Sequence, residues 1–332
     1  MNKEIEVIES LKKQYNTGEN YVQEYLKYWY NSQNREMIDL QEIQNLEPPE
    51  SIWFEFAMST NWRGNEIAQS IRCYIPQKSK KYLDIGCGFG GFLIAFSKLG
   101  LEVTGIEIDH QRIILSRANC KDHQLFNCVF FKNILDEDID TIGKFDVITC
   151  IDVIEHVSDV KQTFTNIDKL LNKDGTIFLE IPNKDSIEFV TNDGHFKLFG
   201  ITLLHRDEAI QYHKKFFNFK YDVGEYYTLD YYLSLLKNTY STTIIKTPLC
   251  TPYNLRQTPI LVAIMWKTFF QFVFKKRVTF KLKTKISFRF LKYNLKLLYD
   301  FIYCIFKQDS RQRFINKYLT NFWSVIAKKD SK

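Results

Sequence analysis

Tyr82-Leu-Asp-Ile-Gly-Cys-Gly-Phe-Gly-Gly-Phe92, followed by Val103-Thr-Gly-Ile-Glu-Ile-Asp109, is the stretch whose reading decides the fold. The apolar run ending at Asp84 reads as a buried parallel strand, and the glycines after it read as a tight turn opening a helix near Phe92. Gly86, Gly88 and Gly90 let the backbone pass close to a bound ligand, because a Cβ at those positions would occupy the ligand's space. A second strand ends in Glu107, where a carboxylate can accept hydrogen bonds from both hydroxyls of a ribose. The two strand tips together describe a nucleoside site.

Two later segments extend the pattern. Phe145-Asp-Val-Ile-Thr-Cys-Ile-Asp-Val-Ile-Glu-His156 reads as a fourth strand and its loop, and Leu170-Leu-Asn-Lys-Asp-Gly-Thr-Ile-Phe-Leu-Glu-Ile-Pro-Asn183 as a turn into a fifth strand, Thr176 to Ile181. A lone G-x-G-x-G is shared with NAD and FAD proteins, but an acid just before the first glycine is not the dinucleotide spelling. With these four segments in this order, residues 60 to 250 resemble the class I S-adenosylmethionine-dependent methyltransferases.

The resemblance implies an α/β fold, a seven-stranded Rossmann-like sheet with helices on both faces and a last strand inserted antiparallel beside strand six. It implies S-adenosylmethionine as cofactor, held by Asp84, Gly86, Cys87, Gly88, Gly90, Glu107, Ile108 and Cys150. After strand three the family's usual Gly-Asp pair is replaced by Lys132-Asn133. Asn133 is expected to accept from the adenine amino group through its amide oxygen, and Ile134 to pack on the adenine face.

The remaining chain divides around that core. Residues 1–60 show helical spacing, a break at Thr17-Gly18-Glu-Asn20 and punctuation at Pro48-Pro49, which reads as an N-terminal helical cap. Residues 61–251 are the core, and Phe322-Trp-Ser-Val-Ile-Ala-Lys328, within residues 319–332, is the candidate final strand. Residues 252–318 are then a basic, aromatic and helical insertion before that strand.

Charge separates along the same line. The chain carries a formal net charge of +6, yet residues 241–332 hold nineteen Lys or Arg against three acids, a local +16, leaving −10 for the preceding residues. Cations interleaved with aromatic residues over 260–306 fit an element lying on an anionic membrane surface, with RNA phosphate as the less favoured polyanion. The longest apolar stretch, Ile260 to Phe274, is interrupted by Lys267 and is too short to span a bilayer. Seven cysteines without a C-x-x-C pair, and an N-terminus without a signal-peptide pattern, lead to the expectation of a cytoplasmic protein, peripheral at the membrane.

Methyl transfer to a hydroxyl needs a group to take the proton, and His156, His195 and Glu155 are the candidates. If residues 152–156 form a helical turn, Asp152, Glu155 and His156 face one way, and with His195 they form a possible divalent-metal set. A similar Glu-x-x-Glu-His occurs in quinone O-methyltransferases and in small-RNA terminal 2′-O-methyltransferases, and that resemblance is what implies the metal. The reading favoured here is metal-free, with an imidazole as base. Trp62, Arg63 and Tyr226 are candidate acceptor contacts. The expected acceptor is a glycan or lipid-linked saccharide; a quinone-like small molecule, RNA, and a non-catalytic cofactor-binding role are the alternatives.

Overall fold

The computed structural model describes residues 3–33, 40–47, 50–237, 239–248, 250 and 252–329; the expected break at Pro48-Pro49 lies outside them. Helices α1 (Lys3–Tyr15), α2 (Glu19–Gln33), α3 (Leu40–Gln44), α4 (Glu50–Met58) and α5 (Thr60–Ile71) lead into β1 (Lys81–Ile85). Then follow α6 (Gly91–Lys98), β2 (Glu102–Glu107), α7 (His110–Asp122), β3 (Val129–Phe131), β4 (Phe145–Ile151), α8 (Val160–Leu170) and β5 (Leu171–Pro182). The second half holds α9 (Ile187–Thr191), α10 (Arg206–His213), α11 (Leu229–Leu236), β6 (Tyr240–Ile245), α12 (Thr258–Val273), α13 (Phe280–Phe306), α14 (Arg311–Phe314) and β7 (Phe322–Lys329).

The strands make one seven-stranded sheet in the order β3-β2-β1-β4-β5-β7-β6. The first five are parallel to their neighbours, and β7 runs antiparallel to both β5 and β6. This is the expected sheet, with helices before β1 and a helical insertion before the last strand. β5 starts earlier than the sequence suggested. Leu171 pairs with Phe145 and Thr176 with Val147, so the residues between them bulge, with Asp174 at φ 65°.

Strand alternation sorts the core into two layers. Leu83, Ile148, Ile177 and Val325 face α8 and α11, while Tyr82, Val147, Phe178 and Ile326 face α5, α6 and α7. Both faces are covered, which is why the central strands read as unbroken apolar runs rather than alternating ones. The N-terminal helices build a separate cluster around Tyr21, Trp29 and Phe54, which reaches the core through Leu115 and Phe89.

Two contacts set the positions that matter for the site. A Cβ on Gly64 would lie 2.3 Å from the Gly91 carbonyl oxygen, and one on Gly91 would lie 2.1 Å from that of Thr60. Only glycines let α5 cross α6 this closely, which carries Arg63 to the glycine turn. At the end of β5, the buried Asn183 amide donates to the carbonyls of Asn316 (3.1 Å), Lys317 (2.9 Å) and Thr320 (2.7 Å). It pins the end of the 252–318 insertion to the core. Replacing it leaves three carbonyls short of a donor, so Asn183→Ala should lower the unfolding free energy by about 2–3 kcal/mol in urea titration, with the m-value unchanged.

Candidate active site

The site opens at the carboxyl ends of β1, β2 and β4. Asp84 is buried, and its Oδ1 accepts from the Thr149 hydroxyl at 2.6 Å, while Thr149 Oγ1 and the Tyr82 hydroxyl lie 2.5 Å apart. Asp84 Oδ2 is buried with no partner, and burial pushes this carboxyl up to about 7. The chain then turns through Gly86 at φ 69°, Gly88 at φ 52° and Gly90 at φ 81°, all left-handed. At Gly86 a Cβ would meet Val153 at 2.4 Å, whereas at Gly88 the same position is open.

Glu107 closes the opposite wall. Its carboxylate accepts from the backbone N–H of Gly88 (3.0 Å), Ile108 (2.8 Å) and Asp109 (3.0 Å), so it is oriented before any ligand arrives and retains lone pairs. Ile108 stands exposed beside it, whereas Ile134 is buried in the layer under α8. Ile108 therefore offers the free apolar surface of the pair. Asn133 is turned into its own loop: its Oδ1 accepts from Leu135 N at 2.9 Å, and its N–H donates to Asp136 at 2.9 Å. Asn166 braces that loop through the Ile134 carbonyl at 2.7 Å. Cys87 and Cys150 are buried, and burial pushes both thiols upward, so they act as small neutral packing groups. An orphaned buried carboxyl oxygen, an oriented acid and a left-handed glycine turn fit S-adenosylmethionine, and Asp84, Gly88, Glu107 and Ile108 are the residues that would hold it.

Next to this cradle, β4 ends in a turn that gathers three titratable groups. Glu155 has a fully buried side chain whose two oxygens have no hydrogen-bond partner. His195 Nε2 lies 3.6 Å from its Oε1, and His156 Nε2 lies 3.8 Å from the same atom. The other ring nitrogens are oriented from outside. His156 Nδ1 donates to the Asp222 carbonyl oxygen at 3.1 Å, which turns Nε2 toward Glu155. His195 Nδ1 is 3.1 Å from the Tyr226 hydroxyl. Burial pulls the His195 imidazole down, but Glu155 and the more distant Asp193 and Asp152 outweigh it, so its net shift is upward. The Gly224 N–H donates to the Glu155 carbonyl at 2.6 Å, tying this turn to the segment that carries Tyr226.

Asp152 does not join them. The turn is not helical there, Asp152 takes φ 52°, and its Oδ2 pairs with Arg63 at 2.8 Å. The alternative four-residue metal set is thus reduced to Glu155, His156 and His195, whose donor atoms all lie within 4.8 Å of one another. Arg63 is held between Asp152 and the Phe56 ring, 3.9 Å from its centroid, while Trp62 is exposed. A cavity of about 290 Å³ opens beside His156, lined also by Val160, Arg206, Asp222, Glu225 and Tyr227. Arg206, Asp222 and Glu225 carried no recognisable spacing in the sequence. Glu180, buried on β5 and pushed up to about 7 by burial and by Asp152, likewise looked like one more strand residue.

Asp84 and Glu180 give the fold a pH dependence with a defined sign. Both carboxyls have folded-state values near 7, above their ordinary values of 3.8 and 4.5, so the folded state keeps protons that the unfolded chain releases. Stability is full below about pH 4 as far as these groups are concerned, and falls as pH rises to about 7, by roughly 1.4 kcal/mol per unit for each group. Asp84→Asn and Glu180→Gln, which mimic the protonated forms, should each flatten urea-unfolding free energies between pH 4 and 7.

Residues 61–239, more than half of the chain, match the family described as "Methyltransferase domain". The ubiquinone biosynthesis O-methyltransferase of Glaesserella parasuis serovar 5 (strain SH0165) is 30% identical over 159 residues, 44% of this chain and 66% of that protein. A putative methyltransferase of Geobacillus sp. (strain WCH70) is 25% identical over 134 residues, 39% of this chain and 53% of that protein. The chain therefore spans under two thirds of the length of these relatives. The solved structure of an S-adenosylmethionine-dependent methyltransferase from Clostridium acetobutylicum ATCC 824 shares 18% identity and a TM-score of 0.35, over 43% of this chain and 60% of that one. With the glycine turn, the oriented Glu107 and the matched 179-residue span, the chain belongs to the methyltransferase-domain family and is a class I S-adenosylmethionine-dependent methyltransferase.

Proposed function

We propose that the protein O-methylates a hydroxyl on an apolar or lipid-carried small molecule, with the acceptor oxygen seated against Glu155, His156 and His195. The observation that carries this reading is the buried Glu155 carboxylate, whose two oxygens have no partner and face two imidazole nitrogens at 3.6 and 3.8 Å. A buried charge left this way is costly unless a ligand or cation completes it. When bound, the cofactor supplies a methyl group already activated on a sulfonium. The chain's own residues then have to hold the acceptor in line, exclude water and take one hydroxyl proton; alignment alone is worth on the order of 7–11 kcal/mol. His195 takes the proton, Glu155 stabilises the imidazolium that results, and Tyr226 fixes the ring through Nδ1.

A second reading of the same three residues has its own observation. Two imidazole nitrogens and one carboxylate converge within 4.8 Å, and His156 is oriented by a backbone carbonyl in the way metal-bound histidines are. The set suits a divalent ion, which supplies Lewis acidity toward a bound hydroxyl.

The acceptor class is the finer question. Relatives named ubiquinone biosynthesis O-methyltransferase support a quinone-precursor type of ring hydroxyl. The lipid-linked saccharide reading is supported by Arg206, Asp222 and Glu225 in the cavity beside His156, groups that can hydrogen-bond several hydroxyls.

Glu155→Gln should bind S-adenosylmethionine within threefold of wild type by calorimetry while methyl transfer to a catechol or to extracted lipid-linked saccharide falls at least ~10³-fold. Chelator treatment separates the two mechanisms: activity lost to chelator and restored by Mg²⁺ or Zn²⁺ supports the metal reading, and indifference supports His195 as base. Unchanged transfer by Glu155→Gln would remove both.

A further inference from the structure

The helices α12 and α13 bury one face each, but a second apolar stripe remains uncovered. On α13 the buried stripe is Leu282, Ile286, Phe290, Tyr293, Leu297 and Cys304, which packs on the segment bearing His195. Phe199 of that segment lies 5.3 Å from both Phe272 and Phe290, ring centre to ring centre. On roughly the opposite side, Phe288, Leu291, Leu295, Leu298, Ile302 and Ile305 recur at spacings of three and four and are all exposed, Leu295 to 72%. Beside this stripe, one quarter-turn round the helix, stand Lys281, Lys292 and Lys296, all exposed. Phe274 and Phe280, 80% and 86% exposed, flank Lys275, Lys276 and Arg277 where α12 gives way to α13.

We infer that this face is a docking surface for an anionic lipid membrane, with α13 lying in the plane of the headgroups. Three observations select that partner. First, an exposed apolar stripe from Phe288 to Ile305, roughly 26 Å along the helix, is larger than a soluble surface ordinarily leaves uncovered. Second, the stripe is flanked by lysines, and the acid on α13, Asp300, is turned away into a pair with Lys317 at 3.2 Å. On the same flank Glu208 of α10 pairs with Lys285 and with Arg289 (2.7 Å), and Asp300 also feels Lys296, but Lys281, Lys292 and Lys296 stay exposed and leave an excess of cations that complements phosphate. Third, among the described residues no helix is long and apolar enough to cross a membrane, so the layer lies on the surface with its aromatic residues inserted and its cations among the headgroups. The heptad-like spacing would also suit a second copy of this chain, but there the lysine rows would meet lysines. The surface is separate from the residues assigned to methyl transfer, so membrane docking and O-methylation stand or fall independently.

The test is flotation of the full-length protein with vesicles of phosphatidylcholine alone and of phosphatidylcholine with 30% phosphatidylglycerol, alongside two variants. Leu295→Asp with Leu298→Asp removes the apolar stripe, and Lys281→Glu with Lys292→Glu and Lys296→Glu reverses the charge; all these positions are exposed, and melting curves matching wild type confirm that the variants fold. Wild type should float with the phosphatidylglycerol vesicles at least tenfold more than with phosphatidylcholine alone, and each variant should lose at least tenfold of that binding. Absence of vesicle binding by wild type, or equal flotation of wild type and both variants, overturns the inference. A wild-type dimer in sedimentation that Leu295→Asp with Leu298→Asp makes monomeric, without vesicle binding, would assign the face to a second copy instead.

Discussion

The antiparallel insertion of β7 between β5 and β6 is the constraint on which the rest of the structure depends. Seven register pairs join β7 to β5, from Thr176 with Lys328 to Pro182 with Phe322, and six join it to β6. The strand comes from the far end of the sequence, so the sheet closes only after residues 246–321 have been laid outside it. That makes the insertion a loop anchored at both ends instead of an appended domain. Its helices must fold back over the segment that follows β5, and Asn183 fixes how they do so. The same closure buries Trp323, Val325 and Ala327 in the central layer, so the methyltransferase core and the basic insertion are joined through one shared strand.

Parts of this were legible because short-range rules dictated them. The run before Asp84 had to be a central strand, since both of its faces are apolar, and the glycines after it had to turn, since the backbone there takes φ values that side chains oppose. The last strand was legible as a short run of β-branched and aromatic residues, Phe322 to Lys328, of strand length where Ile260 to Phe274 is of helix length. The turn after β4 was not. Asp152, Glu155 and His156 have helical spacing, and in a helix all three would share a face. What decides the matter is long-range: Arg63, brought by the Gly64–Gly91 crossing, takes Asp152, while the segment around Gly224 holds Glu155 and His156 through backbone hydrogen bonds. Neither partner is near in sequence. What the sequence did not show of Asn133 is its local bond, since a short amide side chain readily braces its own turn, here through Leu135 N.

Three acids in this site share a physical problem and meet it in different ways. Glu107 is buried but accepts from three backbone N–H groups, so its charge is already solvated by the fold. Asp84 has one hydroxyl donor and an orphaned oxygen, and it keeps a proton to near neutrality. Glu155 has neither backbone donors nor a hydroxyl, only imidazole nitrogens at ion-pair distance. Preorganisation decreases in that order, and the demand for an incoming group increases. Lone pairs on Glu107 can take a further donor without rearrangement, whereas neither oxygen of Glu155 has a hydrogen-bond partner in the fold.

The charge asymmetry follows the same geometry. The residues before 241 sum to −10 and those from 241 onward to +16, and the structure sets the basic part on the outer layer with its apolar stripe uncovered. A basic patch alone would serve any polyanion. A basic patch interleaved with Phe288, Leu295 and Ile302 at heights where a polynucleotide offers only phosphate and sugar would leave those side chains in water. A lipid surface takes both components at once, phosphate for the lysines and acyl chain for the apolar residues. The inner face of the same helices packs on the segment carrying His195, so the uncovered stripe and the Glu155–His195 pair lie on two sides of one layer.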